Sequence, residues 1–196
     1  METEITAALI GVGATVAGTI LGWVLNNLSN RGKLDIYFSA WKDKFQKLDR
    51  GVMTFAETRE QATYYGYTCS IDIYNSSNET RIMRDIQIVF CSDRTVLHTF
   101  SPLDDSTLTQ GVGMSAAHYD KFSVLNIPPK SVFSTQIHNG IGLNSQNNDA
   151  PDFIWETNNI LIRYKNEKNK TKTQKIKNVN FKDYFNSRNI EGDNNG

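Results

Sequence analysis

This sequence predicts a mainly β protein: an antiparallel β-sandwich of about seven strands, preceded by one transmembrane α-helix. Three observations predict it. A run of 26 residues without Asp, Glu, Lys or Arg occupies positions 5–30. Beyond it, short segments alternate apolar and polar residues with period two and are divided by turn-forming residues, the mark of half-buried strands. Nowhere do strands alternate with long amphipathic helices, which argues against a parallel α/β sheet.

The heart of the uncharged run, residues 5–25, would reach roughly 31 Å as a helix, close to the hydrocarbon thickness of a bilayer. The chain opens Met-Glu-Thr-Glu without a basic region, so the segment is expected to stay and not to be cleaved as a signal peptide. Arg31, Lys33, Lys42, Lys44, Lys47 and Arg50 follow it, whereas no Lys or Arg precedes it. Cations collect on the cytoplasmic side of a spanning helix, so the N-terminus is expected outside and the C-terminal domain in the cytoplasm, a single-pass arrangement in the cell membrane. Ala7, Gly11, Ala14, Gly18 and Gly22 line one helix face, and Leu9, Val12, Val16, Ile20 and Val24 the other. A small-residue stripe allows close approach of a second helix in lipid, which would give a homo-oligomer. Gly and Ala are also simply common in spanning helices, and both readings stand. Trp23 fits an interfacial aromatic, with Asn26, Asn27 and Asn30 marking the exit into water.

The remaining chain suffices for one domain, expected over 31–185, with 1–30 as tail and helix and 186–196 as a polar, disordered tail. Leu34, Ile36 and Phe38 alternate with polar neighbours as a first strand. Between 42 and 62 the pattern loosens, and Phe45 with Leu48 suggests a connecting excursion containing a short helix. Tyr65, Tyr67, Cys69, Ile71 and Ile73 form the next strand; Asn75, Ser76, Ser77 and Asn78 supply a turn; Ile82, Ile86, Ile88 and Phe90 form its partner. Further strands are expected at 95–100, 122–127, 131–137, 159–164 and about 173–179, with long loops over 101–117 and 139–153. Cys69 falls on an inward parity and Cys91 on the opposite one, so two free thiols are expected, in keeping with a cytoplasmic domain.

The runs CSIDIYNSS at 69–77, IQIVF at 86–90, NIPPKSV at 126–132 and ILIRY at 160–164 resemble bacterial immunoglobulin-like or fibronectin-type-III-like modules, in which a strand ending in Asn plus small residues and a Pro-Pro-x-Ser corner recur. The resemblance covers about 34–179, implies a sandwich, and carries no catalytic residues. It departs from antibody domains: the inter-sheet disulfide is missing and no Trp lies between the two cysteines.

Formal net charge is zero, so nothing suggests the basic surface that nucleic acid requires. No nucleophile elbow or phosphate-binding glycine loop occurs, and the glycines at 11 and 13 that begin like a dinucleotide fingerprint lie inside the apolar helix with no strand before them. Two cysteines and the isolated His98, His118 and His138 have no metal-ligand spacing. No catalytic residue, cofactor or metal is therefore expected. His118 and Asp120 are more simply an exposed loop pair than a dyad. Lys165, Lys168, Lys170, Lys172, Lys175, Lys177 and Lys182 read either as a solvated, aggregation-resisting hairpin or as contacts to anionic headgroups. The function expected is a non-enzymatic, membrane-anchored interaction module with the bilayer and an unidentified protein as partners. The alternative is a membrane-perturbing effector whose Gly-rich helix oligomerises when the β domain senses a ligand.

Overall fold

The computed structural model describes residues 2–29, 32–110, 117–142 and 152–185, with the side chains of 2–10, 28, 29, 110 and 117 left aside. The expected tail, 186–196, lies outside the described residues. The N-terminal segment forms α1 (Glu2–Ser29), whose described side chains, 11–27, are all exposed. Among the described residues, no helix is long and apolar enough to cross a membrane. Ile5, Leu9 and Ile10, which complete the apolar run, have side chains outside that description.

Among the described residues twelve strands follow: β1 (Leu34–Asp49), β2 (Val52–Phe55), β3 (Tyr64–Asn75), β4 (Arg81–Ser92), β5 (Thr95–Phe100), β6 (Leu103–Asp104), β7 (Thr109–Gln110), β8 (Ala117–His118), β9 (Val124–Ile127), β10 (Val132–Gly142), β11 (Asn159–Lys165) and β12 (Thr171–Asn178). A short helix, α2 (Phe153–Glu156), precedes β11. All pairings among the described residues are antiparallel. One sheet has the order β2-β1-β3-β10-β6 and the other β12-β11-β4-β5, with β9 also on β4, while β7 and β8 pair separately. The sandwich is confirmed, but with ten strands in its two sheets instead of about seven.

Bulges account for part of the difference. β1 continues past Ser39 through a bulge, where the register steps from Ser39↔Ser70 to Lys42↔Thr68 and Ala40 takes a φ of 51°. The extra residue flips the side-chain parity. Inward positions are even at Ile36 and odd at Phe45, so a continuous strand loses its period-two signature. The excursion with a short helix expected over 42–62 is therefore wrong: residues 42–49 are strand, and a turn at Arg50 and Gly51 leads into β2. A second bulge, at Asp85 with φ 51°, likewise puts Met83 inward ahead of Ile86, Ile88 and Phe90, where Ile82 was expected. The loops expected at 101–117 and 139–153 are shortened by β6, β7 and the extension of β10 to Gly142.

The core lies between the sheets, built on Ile71, Ile73, Ile86, Ile88, Ile137, Ile160 and Ile162. At one end Phe45 is fully buried among Tyr65, Trp155, Phe181, Tyr184 and Phe185, with ring centroids 4.6 to 5.6 Å away. The margin between β1 and β12 is closed by polar contacts. Asp43 accepts hydrogen bonds from Trp41 Nε1 (2.8 Å) and Tyr65 Oη (2.7 Å) and pairs with Lys177 (3.0 Å), and Gln174 Nε2 donates to Ile36 O (2.7 Å).

Candidate interaction surfaces at the two ends of the sandwich

The end from which α1 departs is made by the start of β1 and three turns, at 76–80, 128–131 and 166–170. The joint after α1 is pinned. Lys33 N donates to Ser76 Oγ (2.9 Å), Ser76 N donates to Lys33 O (3.1 Å), and Arg81 Nη2 donates to Gly32 O (3.0 Å). A Cβ at Gly32 would stand 2.4 Å from the Ser77 backbone, so only glycine allows the chain this close. Arg81 also pairs with Glu167 at 2.6 Å, linking the joint to the β11–β12 turn.

Asn75, fully buried at the end of β3, ties two of these turns together. Its Nδ2 donates toward the carbonyls of Glu79 (2.7 Å), Ile127 (3.0 Å) and Pro128 (2.9 Å), and its Oδ1 accepts from Ser77 N (3.0 Å) and Ser77 Oγ (2.6 Å). This explains the Asn-Ser-Ser and Pro-Pro runs of the sequence. The proline corner carries the chain from one sheet to the other, and the carboxamide holds that corner against the end of β3. Around it Lys130 Nζ donates to Ser76 O (2.7 Å), while the backbone N–H groups of Lys168 and Lys170 donate to Asn166 Oδ1 (3.1 and 2.9 Å).

At the opposite end, about 50 Å away at the 3.3 Å rise of a sixteen-residue strand, the β1–β2 hairpin exposes Leu48, Val52 and Met53. β2 is an edge strand. Leu48 at the end of β1 and Val52 and Met53 on the β2 edge together make an exposed apolar tip.

The sequence-derived residues fall as follows. Gly11, Ala14, Gly18 and Gly22 are exposed on α1, with nothing within 4 Å of a Cβ built at the three glycines; the side chain of Ala7 lies outside the described residues. The structure brings none of these four against another element. Cys69 and Cys91 are free and buried, one in each sheet. Burial pushes the Cys69 thiol up to about 12, opposed by the nearby Lys177 charge, and burial also raises Cys91. His118 and Asp120 are exposed and 3.9 Å apart. Of the lysines, Lys177 is drawn into the Asp43 pair and Lys165 pairs with Asp85 (2.8 Å), whereas Lys172 and Lys175 stand exposed on β12, an edge strand.

Sequence reasoning missed the contact of His138 Nδ1 with Asp105 Oδ1, over which the Tyr119 ring packs at 4.5 Å. The β6–β10 pairing creates it, and nothing at a separation of 33 residues could have announced it. Among the described residues no group of three or more His, Cys, Asp or Glu could hold a metal ion. A polar groove of about 460 Å³ lies at the β4 bulge, where Gln87 holds Arg163 at 2.8 and 3.1 Å.

The model of the YopI Ig-like domain matches residues 32–177. The chain belongs to the YopI Ig-like domain family. The match opens at Gly32, the pinned glycine of the joint, and leaves α1 outside the shared YopI domain. No curated protein matches the chain. Among solved structures, it is similar to a Bordetella pertussis protein described as ApaA, at 8% identity and a TM-score of 0.34, covering 76% of this chain and 91% of that one. An uncharacterised β-sandwich protein from Clostridium difficile shares 13% identity at a TM-score of 0.29, with the same two coverages.

Proposed function

We propose that the protein is a membrane-anchored binding module, with α1 spanning the bilayer once and the sandwich presented to the cytoplasm. The observation that carries this reading is α1 itself. Every described side chain of 11–27 is exposed, including Val12, Val16, Ile20, Leu21, Trp23 and Leu25, within a run that has no charge from 5 to 30. A helix apolar all round needs an apolar surrounding, and the sandwich does not provide it. The described stretch is too short to cross alone; the proposal takes in Ile5, Leu9 and Ile10 as well. Two of the helix hydroxyls are satisfied internally, as lipid demands: Thr15 donates to Gly11 O and Thr19 to Thr15 O, each at 2.8 Å.

The binding surface of this reading is the far hairpin, where an extended segment of a partner protein would add to the β2 edge and cover Leu48, Val52 and Met53. The oligomerising-effector reading has the open glycine face as its support, and a helix that fails to crosslink to a second copy in membranes removes it. The anchor is tested by fractionation. The full chain is expected to stay with membranes through an alkaline carbonate wash, and a chain starting at Gly32 to be released. A full chain released by the wash overturns the anchor.

A further inference from the structure

We propose that the end of the sandwich from which α1 departs docks on the phosphate headgroups of an anionic bilayer leaflet. This rests on the anchor reading for the direction in which that end faces. In the sequence Lys33, Lys130 and the group Lys168, Lys170 and Lys172 are far apart. The fold gathers them around one joint: Lys33 is held by Ser76, Lys130 reaches the Ser76 carbonyl, and Asn166 fixes the backbone of Lys168 and Lys170. Lys172 lines a cavity of about 300 Å³ together with Gly32, Lys33 and Arg81.

The acids at this end are Asp35, Glu79 and Glu167. Asp35 is taken up by Lys33 (3.1 Å) and Glu167 by Arg81. Among the described residues no salt bridge engages Lys130, Lys168, Lys170 or Lys172, so cationic charge remains on the face that α1 would hold against the leaflet. Protection of an edge strand accounts for Lys172 on β12, but not for Lys33 and Lys130, which lie on neither edge of that sheet. A phosphate-bearing surface complements the unengaged Lys130, Lys168, Lys170 and Lys172 together.

Amine-reactive footprinting of the full chain in nanodiscs tests the proposal. Discs of phosphatidylcholine are compared with discs that also contain phosphatidylglycerol, which brings anionic phosphate without an amine of its own. Lys130, Lys168, Lys170 and Lys172 are expected to label several-fold more slowly in the anionic discs, with Lys44 and Lys182 unchanged and the protection lost on raising salt. A triple variant, K168S/K170S/K172S, is expected to expose Lys130 again, with about a fivefold loss of docking per lysine removed at low ionic strength. Equal labelling in both discs by a chain that has inserted overturns the docking and leaves the anchor intact. Failure to insert into either disc overturns the anchor, and the docking with it. Protection by inorganic phosphate alone in neutral discs assigns the site to a soluble anion and overturns the headgroup assignment.

Discussion

Replacing Asn75 with alanine tests the account of how the α1 end is held. The side chain is fully buried, and its amide has two protons to share among three carbonyls 2.7 to 3.0 Å away, while its oxygen takes the Ser77 N–H and hydroxyl. Alanine strands the Ser77 N–H and takes a donor from all three carbonyls, of which those of Glu79 and Pro128 keep the Ser77 and Ser131 hydroxyls as donors. A stranded group costs about 1–3 kcal/mol and the lost hydrogen bonds to the carbonyls add to it, so with some relaxation and water entry the expected loss is about 2–4 kcal/mol. Set against a total stability of about 5–15 kcal/mol, that is a large fraction. Equilibrium urea unfolding of a chain starting at Gly32, followed by tryptophan fluorescence, would show a lower midpoint at unchanged slope. Asn75→Asp keeps the acceptor but sets a carboxylate against three carbonyl oxygens, so it is expected to be at least as damaging. A loss below about 1 kcal/mol for alanine, or a tolerated aspartate, refutes the reasoning.

Two further outcomes follow from buried groups. The Tyr67 hydroxyl is buried without a hydrogen-bond partner among the described residues, while its ring stacks on Trp41 at 4.8 Å. Tyr67→Phe keeps the stack and is expected to be neutral or to stabilise by about 1 kcal/mol in the same urea titration; a clear destabilisation would reveal a hidden partner. The Cys69 thiol, raised from 9.0 to about 12 by burial, holds its proton more tightly in the native state than in the unfolded one. Its contribution is therefore fully present below the unfolded value and is lost as pH rises from about 9 toward 12. Tyr65 and Tyr67, also raised by burial, add to the same alkaline decline. Cys69→Ala is expected to make the decline shallower, and an identical profile would show that the thiol plays no part.

The sequence by itself determined the class of the fold, because period-two alternation over 65–73 and 86–90 reports which side of a strand is dry, and that is a local property. It likewise marked the uncharged run of α1, since the lack of charge is visible without any knowledge of contacts. The Asn-Ser-Ser and Pro-Pro runs were legible as punctuation, but their joining through the Asn75 carboxamide was not. Tertiary structure alone decided the rest. The bulges at Ala40 and Asp85 reverse side-chain parity without a residue-level signal, so β1 beyond Ser39 carries the pattern of a connecting excursion with a short helix although Phe45 is the centre of an aromatic cluster. The cationic end was equally hidden, because Lys33, Lys130 and Lys168 come together only when three turns close on the joint at Gly32. Alternation is written along the chain, whereas bulges and convergent turns arise from pairing between segments distant in it, which one strand's sequence does not encode.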